Sequence, residues 1–376
     1  MKDTYYISAE RMTVGYDGKP LIENIEIGVK RGEILTLIGP NGSGKSTILK
    51  SIIKELRLIA GTVVLDGRDM AKLSEREIAK KLAIVMTERI KAELMTCWDV
   101  AATGRYPYTG RLGLLSKEDR AIVDAAVETV HAGDFKDRPF SATSDGQRQR
   151  ILLARAIAQQ PEIIVLDEPT SFLDIRHKLE LLDILKTMVR ERNVAVIVSL
   201  HELDLAEKLS DRVVCVANGR IDRCDTPENV FTDDYIASLY GIGQGSFNAM
   251  FGSAELPAVG GEPQVFVIGG GGSGISTYRA LQRAGIPFAA GILPQSDLDW
   301  PVAKALSAEL FEIPAFSIAD DAAVRRAEER MQTIGKVLCT VRAFGETNAA
   351  NQVLFEAAES AGILTDFDML AGRADS

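Results

Sequence analysis

Residues 39–47 read GPNGSGKST and satisfy the spacing G-x-x-x-x-G-K-[ST]. Gly39, Gly42 and Gly44 let successive backbone N–H groups turn inward as a nest around phosphate oxygens, with Asn41 and Ser43 carried between them. Lys45 can reach the outer phosphates, the Ser46 hydroxyl is a natural Mg²⁺ ligand, and Thr47 enters a helix whose positive end faces the anion. Such a loop takes a nucleoside triphosphate. Hydrolysis also needs an acid that holds the metal and a group that positions water. Residues 163–168, IIVLDE, supply Asp167 for the first role and Glu168 for the second. By themselves they would equally fit an ordinary strand-to-turn boundary, so their neighbours decide.

The elements needed to position these groups are legible. The apolar run 34–38 reads as a strand feeding the loop, and 48–56 as the helix leaving it. Residues 163–166 fit a buried parallel strand, and His201, in VSLHE, ends another. TSDGQRQ at 143–149 precedes the acidic strand by about twenty residues, and PTSFLD at 169–174 follows it.

In order, spacing and residue type these segments resemble the signature, D-loop and switch histidine of ABC-type ATPases over roughly the first 240 residues. The resemblance implies a P-loop α/β ATPase domain over residues 1–240, with a helical subdomain at about 88–150. It implies ATP and Mg²⁺ as cofactors, held by Ser46 and Asp167 on the metal side. Tyr16 is then the aromatic that stacks on adenine, and Glu168 and His201 act at the γ-phosphate. Asp174 belongs to the D-loop. Ser144, Asp145, Gly146 and Gln147 are expected to contact the γ-phosphate of ATP held by a second copy, in a head-to-tail pair.

Two positions depart from the family. Thr87 stands where a glutamine usually touches Mg²⁺ and relays closure to the membrane partner; its shorter hydroxyl leaves that role to itself, to water or to Glu88. Thr143 replaces the leucine that usually opens the signature, a packing position expected to tolerate the change.

Composition bounds the rest. The chain has 376 residues, 46% of them hydrophobic and 26% charged, and its mean hydropathy is +0.03, as for a globular protein of more than one domain. No apolar run approaches the ~20 residues of a membrane span, and the first ten residues lack a signal-peptide layout. The chain is therefore expected in the cytoplasm, peripheral to the inner face of the cell membrane. Cys97, Cys215, Cys224 and Cys339 have no C-x-x-C spacing, which reads as buried free thiols. A net charge of -10 argues against a nucleic-acid partner.

The segment DVAATGRYPYTGRLGLLSKED, residues 99–119, and the later TSFLDIRHKLELLDIL resemble the ATPases of importers for iron-siderophores, haem and cobalamin. That implies a polytopic permease and, indirectly, a solute-binding protein. Gly104, Pro107 and Gly110 break the helix into a turn expected to carry Arg105, Tyr106 and Tyr108 on the surface, where a permease helix could dock. The other reading is a soluble ATPase whose tail is an oligomerisation or enzymatic module unconnected to transport.

Beyond residue 240 the family pattern stops. Residues 241–262 are rich in Gly and read as a linker, and 263–376 as a small Rossmann-like parallel α/β domain with a regulatory or ligand-binding role. Its turn GGGGSG satisfies G-x-G-x-x-G at Gly269, Gly271 and Gly274, with Ser273 beside the last glycine. It has no lysine, so a second ATPase site is excluded. An anionic or nucleotide-like ligand at this helix N-terminus is the expectation; a structural turn is the alternative, and a nicotinamide cofactor lacks a well-placed acid. Asp299 could cap the next helix or line the same crevice.

Overall fold

A computed structural model of the chain describes residues 5–86, 92, 94–110, 113–171 and 173–370. Thr87 and Glu88 lie outside them. The chain divides into two compact units, Met1–Tyr235 and Ile236–Ser376.

In the first unit, β1 (Ile7–Tyr16) and β2 (Lys19–Val29) pair antiparallel before β3 (Ile34–Ile38) feeds the glycine loop and α1 (Lys45–Ile52). The helix thus starts inside the motif, three residues earlier than its apolar pattern suggests. β4 (Ala60–Leu65) and β5 (Arg68–Asp69) complete a four-stranded antiparallel sheet. α2 (Glu75–Lys81) and β6 (Leu82–Val85) lead to the helical segment, α3 (Cys97–Ala102), α4 (Lys117–Thr129) and α5 (Asp145–Ala158). Each of these four helices starts with a Ser or Thr whose side chain accepts from an amide three residues on, while that residue's side chain returns the bond.

The chain then re-enters the main sheet through β7 (Ile163–Asp167), α6 (Ile175–Arg192), β8 (Ala195–Ser199), α7 (Leu203–Leu209), β9 (Arg212–Ala217) and β10 (Arg220–Asp225). α8 (Pro227–Val230) and α9 (Asp233–Tyr240) follow. The sheet order is β10-β9-β3-β8-β7-β6. Every residue of β3, β7 and β8 is buried, which is why these strands are almost uniformly apolar and why their carboxyl ends can hold polar groups side by side.

The second unit contradicts the linker reading of 241–262. β11 (Ser246–Asn248) and β12 (Ser253–Glu255) form a hairpin there, and buried Glu255 pairs with Arg279. The chain thus divides near residue 235, where the first domain was expected to run to 240, and residues 241–262 belong to the second unit. β13 (Val265–Ile268), α10 (Ile275–Arg283), β14 (Phe288–Pro294), α11 (Trp300–Leu306), β15 (Glu309–Ile313), α12 (Asp321–Ile334), β16 (Val337–Cys339), α13 (Ala349–Ser360) and α14 (Phe367–Leu370) complete the unit. The four strands run parallel in the order β15-β14-β13-β16, with buried apolar side chains on both faces. This is the small Rossmann-like sheet expected from the alternating pattern.

The turn at 104–110 also differs from expectation. Arg105 is 5% exposed, paired with Asp119 at 2.8 Å and bonded to the Ala158 carbonyl, while Tyr108 lies over its guanidinium at 4.0 Å. Only Tyr106, at 76%, stands out into solvent. An arginine in a Gly/Pro-rich turn looks like a surface residue until the acid that buries it is known.

Candidate functional site

The glycine loop has the backbone its sequence demands. Gly39, Gly42 and Gly44 lie at φ 147°, 76° and 102°, and a Cβ on Gly39 would sit 2.1 Å from the Val216 carbonyl. Lys45 Nζ donates to the carbonyls of Gly39 and Pro40 at 2.7 and 3.1 Å, folded back along the loop. Burial pulls its ammonium below the ordinary lysine value, against the opposing pull of Glu168 and Asp167. A partly desolvated cation facing two acids is suited to a polyphosphate. Asn41, Ser43 and Ser46 lie on the same turn and first helical residues.

Ser46 Oγ donates to Asp167 Oδ1 at 3.2 Å. This brings together two hard oxygen donors from the helix start and the end of β7, a set that fits Mg²⁺. Ser199 joins them: its hydroxyl donates to Asp167 Oδ1 at 2.6 Å and accepts the Glu168 amide at 2.9 Å. It was not singled out from sequence. The register explains its place, since Ser199 lies opposite Leu37 of β3 on one side and Asp167 of β7 on the other.

Glu168 leaves the strand with φ 47°, a left-handed conformation rare for a non-glycine residue, and its carboxylate meets His201 Nε2. Glu202 is held by Thr170 and Lys178, which ties the loop after β8 to the segment after β7. Tyr16 is 51% exposed at the end of β1, its hydroxyl 3.2 Å from Thr47 Oγ1, so its ring lies beside the start of α1.

The remaining candidates stand apart from this cluster within the chain. Ser144 caps α5 by accepting the Gln147 amide at 3.3 Å, and Gln147 returns the bond. Asp145 pairs with Arg148. A Cβ on Gly146 would meet only Leu173, at an ordinary 3.4 Å, so nothing inside this chain requires glycine there. Thr143 is buried and donates to the Phe140 carbonyl at 2.7 Å, which satisfies the hydroxyl that replaces the family's leucine. Asp174 caps α6 through the His177 amide at 2.9 Å, a bond that lowers its carboxyl below the usual range.

In the second unit the loop after β13 overturns the expectation of an anion bound there. Asp299, fully buried, accepts from the amides of Gly270, Gly274 and Ile275 at 2.6, 2.9 and 3.2 Å, and Asp297 accepts from Gly271 at 2.9 and 3.0 Å. The nest is filled by the protein's own carboxylates. Burial pushes the Asp299 carboxyl up, an effect the Gly274 and Gly270 amides oppose. A Cβ on Gly269 or Gly274 would collide with the Tyr278 ring, so these glycines are needed for packing. Ser273 shares a hydrogen bond with Thr340 at 3.0 Å.

The profile of the ABC transporter family matches residues 22–171, and that of the MJ0874 family matches residues 288–374. The uncharacterized ABC transporter ATP-binding protein MJ0873 of Methanocaldococcus jannaschii is 39% identical over 280 residues, 74% of this chain and 96% of that protein. The iron(3+)-hydroxamate import ATP-binding protein FhuC of Bacillus subtilis is 36% identical over 236 residues, covering 63% of this chain and 88% of its own. The cobalamin import ATP-binding protein BtuD of Halobacterium salinarum is 30% identical over 311 residues, 81% of this chain and 78% of that protein. Among solved structures, the dimeric bacterial ABC transporter cassette MJ0796 superposes with a TM-score of 0.53 at 26% identity, over 59% of this chain and 98% of that one. With phosphate loop, signature and acidic strand end in this order, and relatives aligned over most of their length, the chain belongs to the ABC transporter ATP-binding proteins, ATPases that act on ATP with Mg²⁺.

Proposed function

We propose that the chain is the energy-supplying subunit of an importer for metal chelates of the iron-siderophore, haem or cobalamin kind, working at the cytoplasmic face of the membrane. The observation that carries the catalytic part is the meeting of Ser46, Asp167, Glu168 and His201 at the carboxyl ends of adjacent strands. In this reading Lys45 and the loop amides neutralise the phosphates, Ser46 and Asp167 hold Mg²⁺, Glu168 orients the attacking water, and His201 holds Glu168 and faces the γ-phosphate. Mg²⁺, when bound, offsets the charge that develops on the phosphate oxygens.

Two copies close head to tail, Ser144 and Gly146 of each completing the site of the other, and membrane subunits turn that closure into alternating access. A groove of about 450 Å³ beside Tyr106, walled by Ile78, Leu82 and Pro107, is the seat for a permease helix. Cobalamin cargo draws support from the BtuD alignment, whose 311 residues run past the 235 of the first unit. The tail then acts as a regulatory domain.

The test is Glu168→Gln in cells that carry the chain with a candidate permease and binding protein. ATP binding should persist while phosphate release falls about 100-fold or more, and labelled cobalamin or ferric-siderophore uptake should stop with it. Wild-type hydrolysis in that variant would sink the catalytic assignment. Uptake indifferent to the variant would sink the transport reading.

A further inference from the structure

The second unit has a crevice of about 470 Å³ at the carboxyl edge of its parallel sheet, within the size range of small-molecule sites. The chain runs from β13 outward to β14 and β15, then returns to β16 on the other side of β13, and such reversal points are where open α/β sheets bind ligands. In dinucleotide-binding sheets the glycine loop supplies the anion site. Here the amides of Gly270, Gly271 and Gly274 are already held by Asp297 and Asp299, so a phosphate would have to displace a carboxylate and then face its charge.

The strand order gives the crevice two unlike sides. Towards β15 it is lined by Ile313 and Ile318. The segment from β16 into α13 contributes Arg342, Glu346, Thr347, Asn348 and Asn351, alongside Val341 and three alanines. Ser296 and Asp297, which follow β14, complete the polar lining. Two of these polar groups are spent on the fold. Asn351 accepts the Ile292 amide at 2.7 Å and donates to the Gly269 and Ile292 carbonyls, while Asn348 accepts the Gly345 amide and donates to the Ala343 carbonyl. The others are open. The side chains of Arg342, Glu346 and Thr347 are exposed and make no hydrogen bond or ion pair among the described residues. The Ser296 hydroxyl accepts the Phe316 amide and still has its proton to give, and Asp297 keeps lone pairs beyond those taken by the Gly271 and Asp299 amides.

An anion in this crevice would face Asp297 and Glu346, and a cation would face Arg342. Hydroxyl groups donate to carboxylates and accept from a guanidinium without carrying charge themselves. The apolar side towards β15 offers a ring a face to rest on. We infer that the crevice binds an unphosphorylated nucleoside, its ribose hydroxyls at Glu346, Thr347 and Arg342 and its base along Ile313 and Ile318. The site is separate from ATP hydrolysis and rests on neither the importer reading nor the cargo.

Calorimetric titration of the full chain with adenosine, guanosine, cytidine and uridine tests it. Because the phosphate loop also takes nucleotides, the readout is the difference between the wild-type chain and Glu346→Ala, a change at an exposed side chain with no bond to the fold. One or more of the nucleosides should bind saturably and lose about tenfold in affinity in the variant, the worth of a hydrogen bond to a charged group. In the same difference the 5′-monophosphate of that nucleoside should bind about tenfold more weakly for its charge, and its 2′,3′-dideoxy form about tenfold more weakly for its missing hydroxyls. Three results overturn the inference: no nucleoside heat that depends on Glu346, a dideoxy form bound as tightly as its parent, or a monophosphate bound more tightly than the nucleoside.

Discussion

Ser199 is the residue on which the metal end of the site leans most without belonging to any motif. It is fully buried, and its hydroxyl joins Asp167 to the amide of Glu168. Ser199→Ala leaves the Glu168 amide without its partner, a cost of about 1–3 kcal/mol if no water replaces the hydroxyl, and leaves Asp167 Oδ1 only the longer bond from Ser46. We expect the Mg²⁺ concentration for half-maximal ATPase activity to rise about tenfold, as for other groups that orient metal ligands. An unchanged Mg²⁺ titration would mean that Asp167 orients itself. Lys45 makes a prediction of the opposite kind. Its folded-state value lies below that of free lysine, so the chain sheds this proton earlier than the unfolded state does as pH rises. Phosphates beside it raise the value again, so ATP binding takes up protons on the alkaline side, in the range between the lowered value and the one that the phosphates restore. Calorimetry in buffers of different ionisation heat reads this directly. Ser46, Lys45 and Asp167 were legible because their chemistry forces their spacing. Ser199 was not, since a serine ending an apolar strand carries no signal until the order of β3, β8 and β7 is known.

At the scale of elements, the start of α5 separates what folding needs from what the reaction needs. Ser144 and Gln147 form the same reciprocal cap as Ser116 and Asp119 on α4, so the cap alone implies no ligand. Gly146 differs: its backbone is ordinary and space for a methyl exists. Gly146→Ala should therefore leave stability unchanged or raise it by up to about 1 kcal/mol, the helix-propensity difference. If the partner copy's phosphate approaches this backbone, the same variant loses most ATPase activity; a stable and fully active variant would remove Gly146 from the shared site. The loop after β13 makes the converse case. Its G-x-G-x-x-G spacing, its strand and its helix were all legible, yet the spacing says nothing of what fills the nest. The acids come from about 25 residues later, and only the fold of β14 and α11 brings them in. Asp299→Ala frees three amides, and we expect about 3 kcal/mol or more of lost stability, seen as earlier thermal unfolding.

For the whole molecule, the division near residue 235 sets which properties can be separated. Apolar runs located strands of the main sheet in each unit, but the antiparallel sheet of β1, β2, β4 and β5 went unread, and Gly-rich composition hid the hairpin at 246–255, whose pairing is short and which an ion pair of buried Glu255 with partly exposed Arg279 helps to anchor. Every residue placed around the phosphate loop, from Tyr16 to His201, lies in the first unit. A chain ending after Tyr240, which keeps α9 whole, retains that unit and all of its buried strands. It should hydrolyse ATP with kcat and KM within about twofold of the full chain, the scatter expected when no group touching the reaction is removed. Regulation by the tail predicts a second difference: a crevice ligand that changes the full chain's rate must have no effect on the short one. A kcat that collapses on truncation, with the short chain still folded and dimeric, would instead place part of the catalytic assembly beyond residue 240.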